Sequence, residues 1–259
     1  MDYSNVSIQR QGRVAIVTYD RGGSLNAFDQ ASILELTEVA RRFQDDLETQ
    51  AVVLAGSPQG FSAGIDLKDT ATWERLESDV ALRERFSRGV RLCQAWEDMP
   101  QVTIAAMERL AVGAGCAIAL ACDWRVLDRD GYLSVPEVKI GLNLQWGALP
   151  RLISLVGPAR AKRIVLLCEK MPASQALDWG LVEELADTGR TVEKALELAE
   201  TAAAMPAATT RMVKQAVNAT ANALHRASAH ADAAQSALTR TYADAVAARE
   251  SFSKGGSNG

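Results

Sequence analysis

The 259-residue chain is 48% hydrophobic, enough for one large domain or a domain with an appendage. Its net charge is −4 with both signs mixed along its length, and it has no basic block and no aromatic–basic interleaving, which excludes a nucleic-acid partner on compositional grounds. The longest apolar stretch, around residues 110–122, is too short and too rich in Gly and Ala to span a bilayer, and the opening "MDYSNVSIQR" has no signal-peptide pattern.

In chain order, "VSIQRQGRVAIVTYD" predicts two short strands around a turn at Gln11-Gly12. Residues 27–47 carry apolar side chains at helical spacing. "AVVLAGS" is a buried strand ending at Gly56, "QVTIAAM" a second and "WRVLDR" a third, with helical stretches such as "DVALRERFSRGVRLCQAWEDM" between them. Continuous apolar strands alternating with helices predict an α/β fold in which helices cover the sheets. After Pro150 the sequence reads mostly helical, and Pro206 starts a new helix. The Ala-rich segment from Pro206 to Phe252 is amphipathic and needs a partner surface, either its own chain or another subunit. The tail "SKGGSNG" is expected to be disordered.

Four cysteines, Cys93, Cys116, Cys122 and Cys168, form no Cys-x-x-Cys pair and read as reduced core thiols of a cytoplasmic protein. The two histidines, His225 and His230, share a late helical stretch, which argues against a zinc site or a Ser-His nucleophile, and no metal is expected.

Three segments can carry chemistry. "GFSAGIDL" follows the first buried strand; its glycines let backbone approach a ligand, and Asp66 stands where it can cap a helix. "VGAGCAIALACD" follows the strand "QVTIAAM" much as the first segment follows its own strand; it holds no strong acid or base before Asp123, yet it is a second glycine-rich helix start. Ile118 stands where a dinucleotide fingerprint needs its third Gly, and no Gly-Lys-Ser/Thr follows, so neither common phosphate loop fits. In "SVPEVKIGL", Glu137 follows Pro136 at an apolar strand end, where desolvation would make it a usable base; read alone, the segment fits a solvent-facing acid as well.

Together, "NAF" at residues 26–28, "GFSAGIDL", "GAGCAIALACDWRV", "VPEVKIGL" and "SQALDWGLVEEL" resemble, in order and spacing, the crotonase (enoyl-CoA hydratase/isomerase) superfamily over residues 6–218. The resemblance implies a spiral of ββα units over residues 1–200, a C-terminal helical trimerisation region over 201–252 and a tail over 253–259. It implies a homotrimer or a dimer of trimers, an acyl-CoA thioester as substrate, and no cofactor beyond that coenzyme A. By position, the Ile65 and Ala114 amides form an oxyanion hole, which explains why the second segment needs no reactive side chain. The backbone near Ala63, Asp66 and Leu67 would hold the CoA adenine, and Phe252 and Lys254 would reach CoA from a neighbouring chain.

The chain also departs from the family. Ala117 replaces one of the two glutamates of the hydratases, while Glu137 matches the other. Glu108 and Arg109 stand where Asn-Gly is usual. "LNLQWGA" replaces a Pro-Gly-Ala-Gly-Gly run, with Trp146 either a wall of the acyl pocket or a plain structural tryptophan, and with no carboxylate placed for nucleophilic dehalogenation. A single carboxylate suits enoyl-CoA double-bond isomerisation. A hydratase with an unrecognised second acid, or a silent CoA-binding paralogue, are the alternatives.

Overall fold

A computed structural model describes residues 3–69 and 78–255. Strands β1 (Val6–Gln11) and β2 (Val14–Tyr19) form an antiparallel hairpin in which Gln11 already pairs with Val14, so the turn is Gly12-Arg13, one residue later than predicted. Parallel to β2 run β3 (Ala51–Ala55), β4 (Val102–Met107) and, beyond them, β6 (Trp124–Asp128). Every residue of β3 and β4 is buried, as expected of strands covered on both faces.

A second sheet pairs β5 (Leu110–Val112) in parallel with β7 (Tyr132–Ser134), and β8 (Met171–Pro172) closes it in the antiparallel sense. Ser62 extends this sheet through a parallel bridge to Ala111. Each pass of the chain (51–62, 102–112, 124–134) thus lays one segment in each sheet before α2 (Asp79–Glu97), α3 (Ala114–Ala119) or α4 (Ala148–Leu167). This is the ββα spiral expected of the α/β fold. The last strand, β9 (Glu184–Ala186), joins β6 at the edge of the six-stranded sheet.

One core lies between the sheets, where Leu54, Trp96, Met107 and Ile118 are buried with α1 (Gln30–Gln44) and α2. A second lies on the opposite face, where Val53 and Ile104 meet Ala195, Ala199 and Ala202 of α6 (Thr191–Ala203). Helix α1 starts at Gln30, three residues later than predicted, because Asp29 caps it by accepting from the Ser32 amide at 2.8 Å while Phe28 stays extended. Helix α2 is capped by Ser78, which accepts from Ala81 at 3.1 Å. Beyond Pro150 the helical reading missed β8 and β9, which are too short to show periodicity, while α5 (Ala173–Asp178) follows it.

Helix α7 (Ala207–Ala221) begins directly after Pro206, as predicted. Then α8 (His225–Ala229) packs on α4, α9 (Asp232–Thr239) on α2, and α10 (Ala243–Gly255) on residues 137–140, so this region folds back on its own chain. The backbone of α10 continues through residues 253–255, three residues into the expected tail, because only Gly255 breaks its pattern; residues 256–259 lie outside the described residues. No helix among the described residues is long and apolar enough to cross a membrane.

Lys214 is the one buried residue of α7. Its Nζ donates to the Gln101 carbonyl and to Asp123 Oδ2, both at 2.6 Å, and Asp123 also accepts from the Thr103 amide at 2.7 Å. Replacing Lys214 by Met leaves these acceptors underused and should lower stability by about 1–3 kcal/mol. Urea unfolding should show a lower midpoint with an unchanged slope; an unchanged midpoint would remove the anchoring role.

Candidate active site

The first glycine-rich turn is held from behind by "NAF". Ser24, Leu25 and Asn26 are all left-handed, a conformation asparagine tolerates best. Asn26 is buried; its Nδ2 donates to the carbonyls of Tyr19 (2.8 Å) and Phe61 (3.0 Å). That anchoring extends Phe28 alongside the turn: Phe28 N–H donates to Gly64 O at 2.7 Å, and Asp66 N–H donates to Phe28 O at 2.9 Å. In this parallel pairing the Ile65 amide points away from Phe28, and it donates to no acceptor among the described residues.

The second turn follows β5 in the small sheet rather than β4, as the sequence had suggested. Gly113 donates to Ser134 O at 2.9 Å, and Ala114 opens α3, so its amide is one of the helix's unpaired first-turn donors. The two turns touch backbone to backbone. A Cβ on Gly64 (φ 89°) would lie 2.8 Å from Val112 O and 3.4 Å from Ala114 N, and a Cβ on Gly115 would lie 2.7 Å from Ser62 O. Ile65 and Ala114 line one cleft.

Glu137 lines the same cleft, from the first position of a 3-10 turn (Glu137–Ile140) rather than from a strand end. Its Oε1 lies 2.6 Å from where a Cβ on Gly113 (φ 52°) would be, so glycine is required for the carboxyl to sit over the second turn. Oε2 is buried without a hydrogen-bond partner. Burial therefore dominates and pushes the pKa from 4.5 to about 7. Ala117 also faces the cleft, and Glu137 is the only acid among the described residues that line it.

Of the other predicted residues, Ala63, Leu67 and Trp146 line the cleft, whereas Asp66 does not. Asp66 turns to Arg21, accepting from its guanidinium at 2.6 Å, and its Oδ1 accepts from the Lys68 amide at 2.9 Å. Burial works to raise its pKa, but these bonds outweigh it and the net shift is downward. The Asp66 side chain thus braces the turn. Residues 67–68, where the helix it was expected to cap would begin, form a turn, and residues 70–77 lie outside those described. The Ala63 amide is likewise taken, by Leu25 O at 3.0 Å. Phe252 lines the cleft of its own chain.

Trp146 is both wall and core. It lines the cleft yet is 7% exposed, its ring 5.9 Å from Phe28, and its indole occupies the space a side chain on Gly89 would need. Trp146 and Gly147 are both left-handed, a costly conformation for tryptophan. Arg151 holds it, donating to the Trp146 and Gly147 carbonyls at 3.2 and 2.9 Å and pairing in two places with Glu97 at 2.9 and 3.0 Å. Asp232 accepts from the Gly147 amide at 2.8 Å. Nothing in the local sequence marked Arg151, Glu97 or Asp232; Gly89, a lone glycine inside a helix, was the one signal available.

All four cysteines are buried and unpaired, and burial pushes the Cys116 thiol up to about 12. His225 sits in the Glu97 network and His230 is exposed; neither lines the cleft. No group of three potential ligands suits a metal among the described residues.

The sequence profile of the family described as enoyl-CoA hydratase/isomerase matches residues 9–254. A short-chain-enoyl-CoA hydratase of Clostridium acetobutylicum is 30% identical over 219 residues, 84% of this chain and 82% of that protein. Among solved structures, DspI of Pseudomonas aeruginosa superposes with a TM-score of 0.79 at 30% identity, covering 86% of this chain and 83% of that one. An enoyl-CoA hydratase from Mycobacterium avium subsp. paratuberculosis has a TM-score of 0.86 over 98% and 97% of the two chains, at 24% identity, a likeness of fold.

Because Glu137 is raised, the fold disfavours its ionised form. The resulting cost is absent below pH 4.5 and complete above about 7. Glu137→Gln should therefore melt at a higher temperature than the parent at about pH 8, with the two converging near pH 5. A difference that does not grow with pH would contradict the enclosure of this carboxyl.

Proposed function

The chain belongs to the enoyl-CoA hydratase/isomerase family, an acyl-CoA enzyme by that membership, and on this premise we propose that it shifts the double bond of an enoyl-CoA with Glu137 as the sole proton carrier. The observation that carries the reading is the pairing, in one cleft, of two unused main-chain amides with one buried carboxyl whose Oε2 has no partner and no second acid among the described lining residues.

The thioester oxygen sits between the Ile65 and Ala114 amides. The Glu137 carboxylate takes a proton from the α carbon of a 3-enoyl thioester. The freed electron pair moves into the carbonyl, and the amides hold the dienolate oxygen. Each such donor is worth about 3–4 kcal/mol in enzymes where one has been removed. Protonated Glu137 then returns its proton at the γ carbon, leaving the conjugated 2-enoyl thioester. The reaction moves only a proton, so it calls for no cofactor; coenzyme A is part of the substrate, with Ala63 and Leu67 beside it.

Hydration is the second reading, favoured by the names of the relatives, which are enoyl-CoA hydratases. It needs a second proton donor in place of Ala117. We further propose a trimeric or doubled-trimer assembly in the cytoplasm. Met212, Val213 and Val217 leave an exposed apolar stripe on α7, and four unpaired thiols suit a reducing compartment.

Incubating the purified chain with 2-enoyl-CoA and 3-enoyl-CoA separates the readings by absorbance and mass. Isomerisation turns the 3-enoyl ester into the conjugated, ultraviolet-absorbing 2-enoyl ester with no water added, solvent deuterium entering only as far as protonated Glu137 exchanges between the two transfers; hydration adds water. Glu137→Gln should lower turnover roughly 10²–10⁴-fold. Turnover that survives intact in this variant, or no reaction with either ester despite CoA binding, would overturn the proposal.

A further inference from the structure

One wall of the cleft is cationic. Arg85 of α2 and Arg240, just past α9, both line it. The Arg240 guanidinium lies 4.6 Å from the centroid of the Phe86 ring. Arg249 of α10 reaches the same place, donating to the carbonyls of Arg240 at 2.9 Å and Gly141 at 3.2 Å. All three arginines also engage other groups of the protein. Taken whole, those surroundings still disfavour the charge: burial foremost, then Arg249 and Arg85, push Arg240 down to about 10. Like charges gathered at a half-buried wall repel one another, and an anion lodged in the cleft would relieve them.

The contacts say which part of a ligand meets this wall. Trp146 lies against Gly89, Phe86 is one helical turn from Gly89 on α2, and Arg240 covers Phe86; all four line the cleft that holds the two amides. The cationic wall is therefore set among aromatic side chains of that cleft. That is an environment for an acyl chain, not for phosphates or a nucleotide. We propose that the acyl group of the substrate ends in a second carboxylate, received by Arg240 and Arg85. The proposal rests on the cleft being the acyl-CoA site. Arginine suits this task because its fork matches a carboxylate with two parallel hydrogen bonds.

The test needs binding only, so it stands apart from which reaction is catalysed. Glutaryl-CoA and butyryl-CoA differ only in the terminal carboxylate, and adipyl-CoA and pentanoyl-CoA repeat the comparison one methylene longer. Titration calorimetry on the full chain should show at least tenfold tighter binding of the carboxylated ester in one of the pairs. Arg240→Gln should shrink that ratio tenfold or more, with Arg240→Lys keeping part of it. Equal affinities, or a preference for the plain esters, in both pairs would overturn the proposal without any variant. So would an Arg240→Gln loss shared equally by both esters, because the CoA phosphates are common to them. Failure of the folded parent to bind any of the four esters would instead overturn the acyl-CoA reading beneath it.

Discussion

The site depends on a backbone-to-backbone contact between the Gly64 turn and the Val112–Ala114 segment. A single methyl group on Gly64 would meet the Val112 carbonyl oxygen at 2.8 Å, so the two turns cannot come together with any side chain between them. Each turn is fixed by a different part of the fold. Phe28 and the buried Asn26 hold the first; β5, β7 and the Gly113-to-Ser134 bond hold the second. Donors fixed this way need no rearrangement as charge develops on a ligand, which is the property an oxyanion site requires. An inert stretch such as "GAGCAIAL" is then suited to its place: larger side chains would separate what the spiral brings together.

Around that contact the chain accepts several local costs. Glu137 Oε2 is buried without a partner, Arg240 is desolvated beside two other cations, and Trp146 is held left-handed. Proteins break the rules of polar satisfaction and backbone ease mainly at functional sites, and offset the cost elsewhere. Here the offset is visible for Trp146. The Arg151–Glu97 pair is nearly buried, and Asn222 adds a bond to Glu97 at 3.0 Å. Removing one partner of such a pair leaves a buried charge, so the pair binds the loop firmly to α2 and α4.

Much of this was legible in the sequence. The apolar runs of β3 and β4 announce a covered parallel sheet, and the family resemblance implies that Ile65, Ala114 and Glu137 share one cleft, as they do. Three-residue strands such as β5 and β9 leave no periodicity to read, so the second turn was attached to the wrong strand. The Asp66 side chain was not legible: its partner Arg21 is 45 residues away, and a carboxylate in a glycine-rich turn does not reveal whether it faces ligand or protein. Arg85, Phe86 and Gly89 sit within an ordinary amphipathic helix, and Arg240 at the end of another. Their convergence is a product of how the C-terminal helices fold back, which no local pattern encodes.

The central claim is that two main-chain amides hold one thioester oxygen. Infrared difference spectroscopy of crotonyl-CoA carrying ¹³C at its thioester carbonyl reads that oxygen directly. Donation from the Ile65 and Ala114 amides weakens the carbonyl bond, so its band should move to lower wavenumber on binding, with the same direction of shift in Glu137→Gln. A carbonyl band that stays at its solution position in the bound complex would contradict the account.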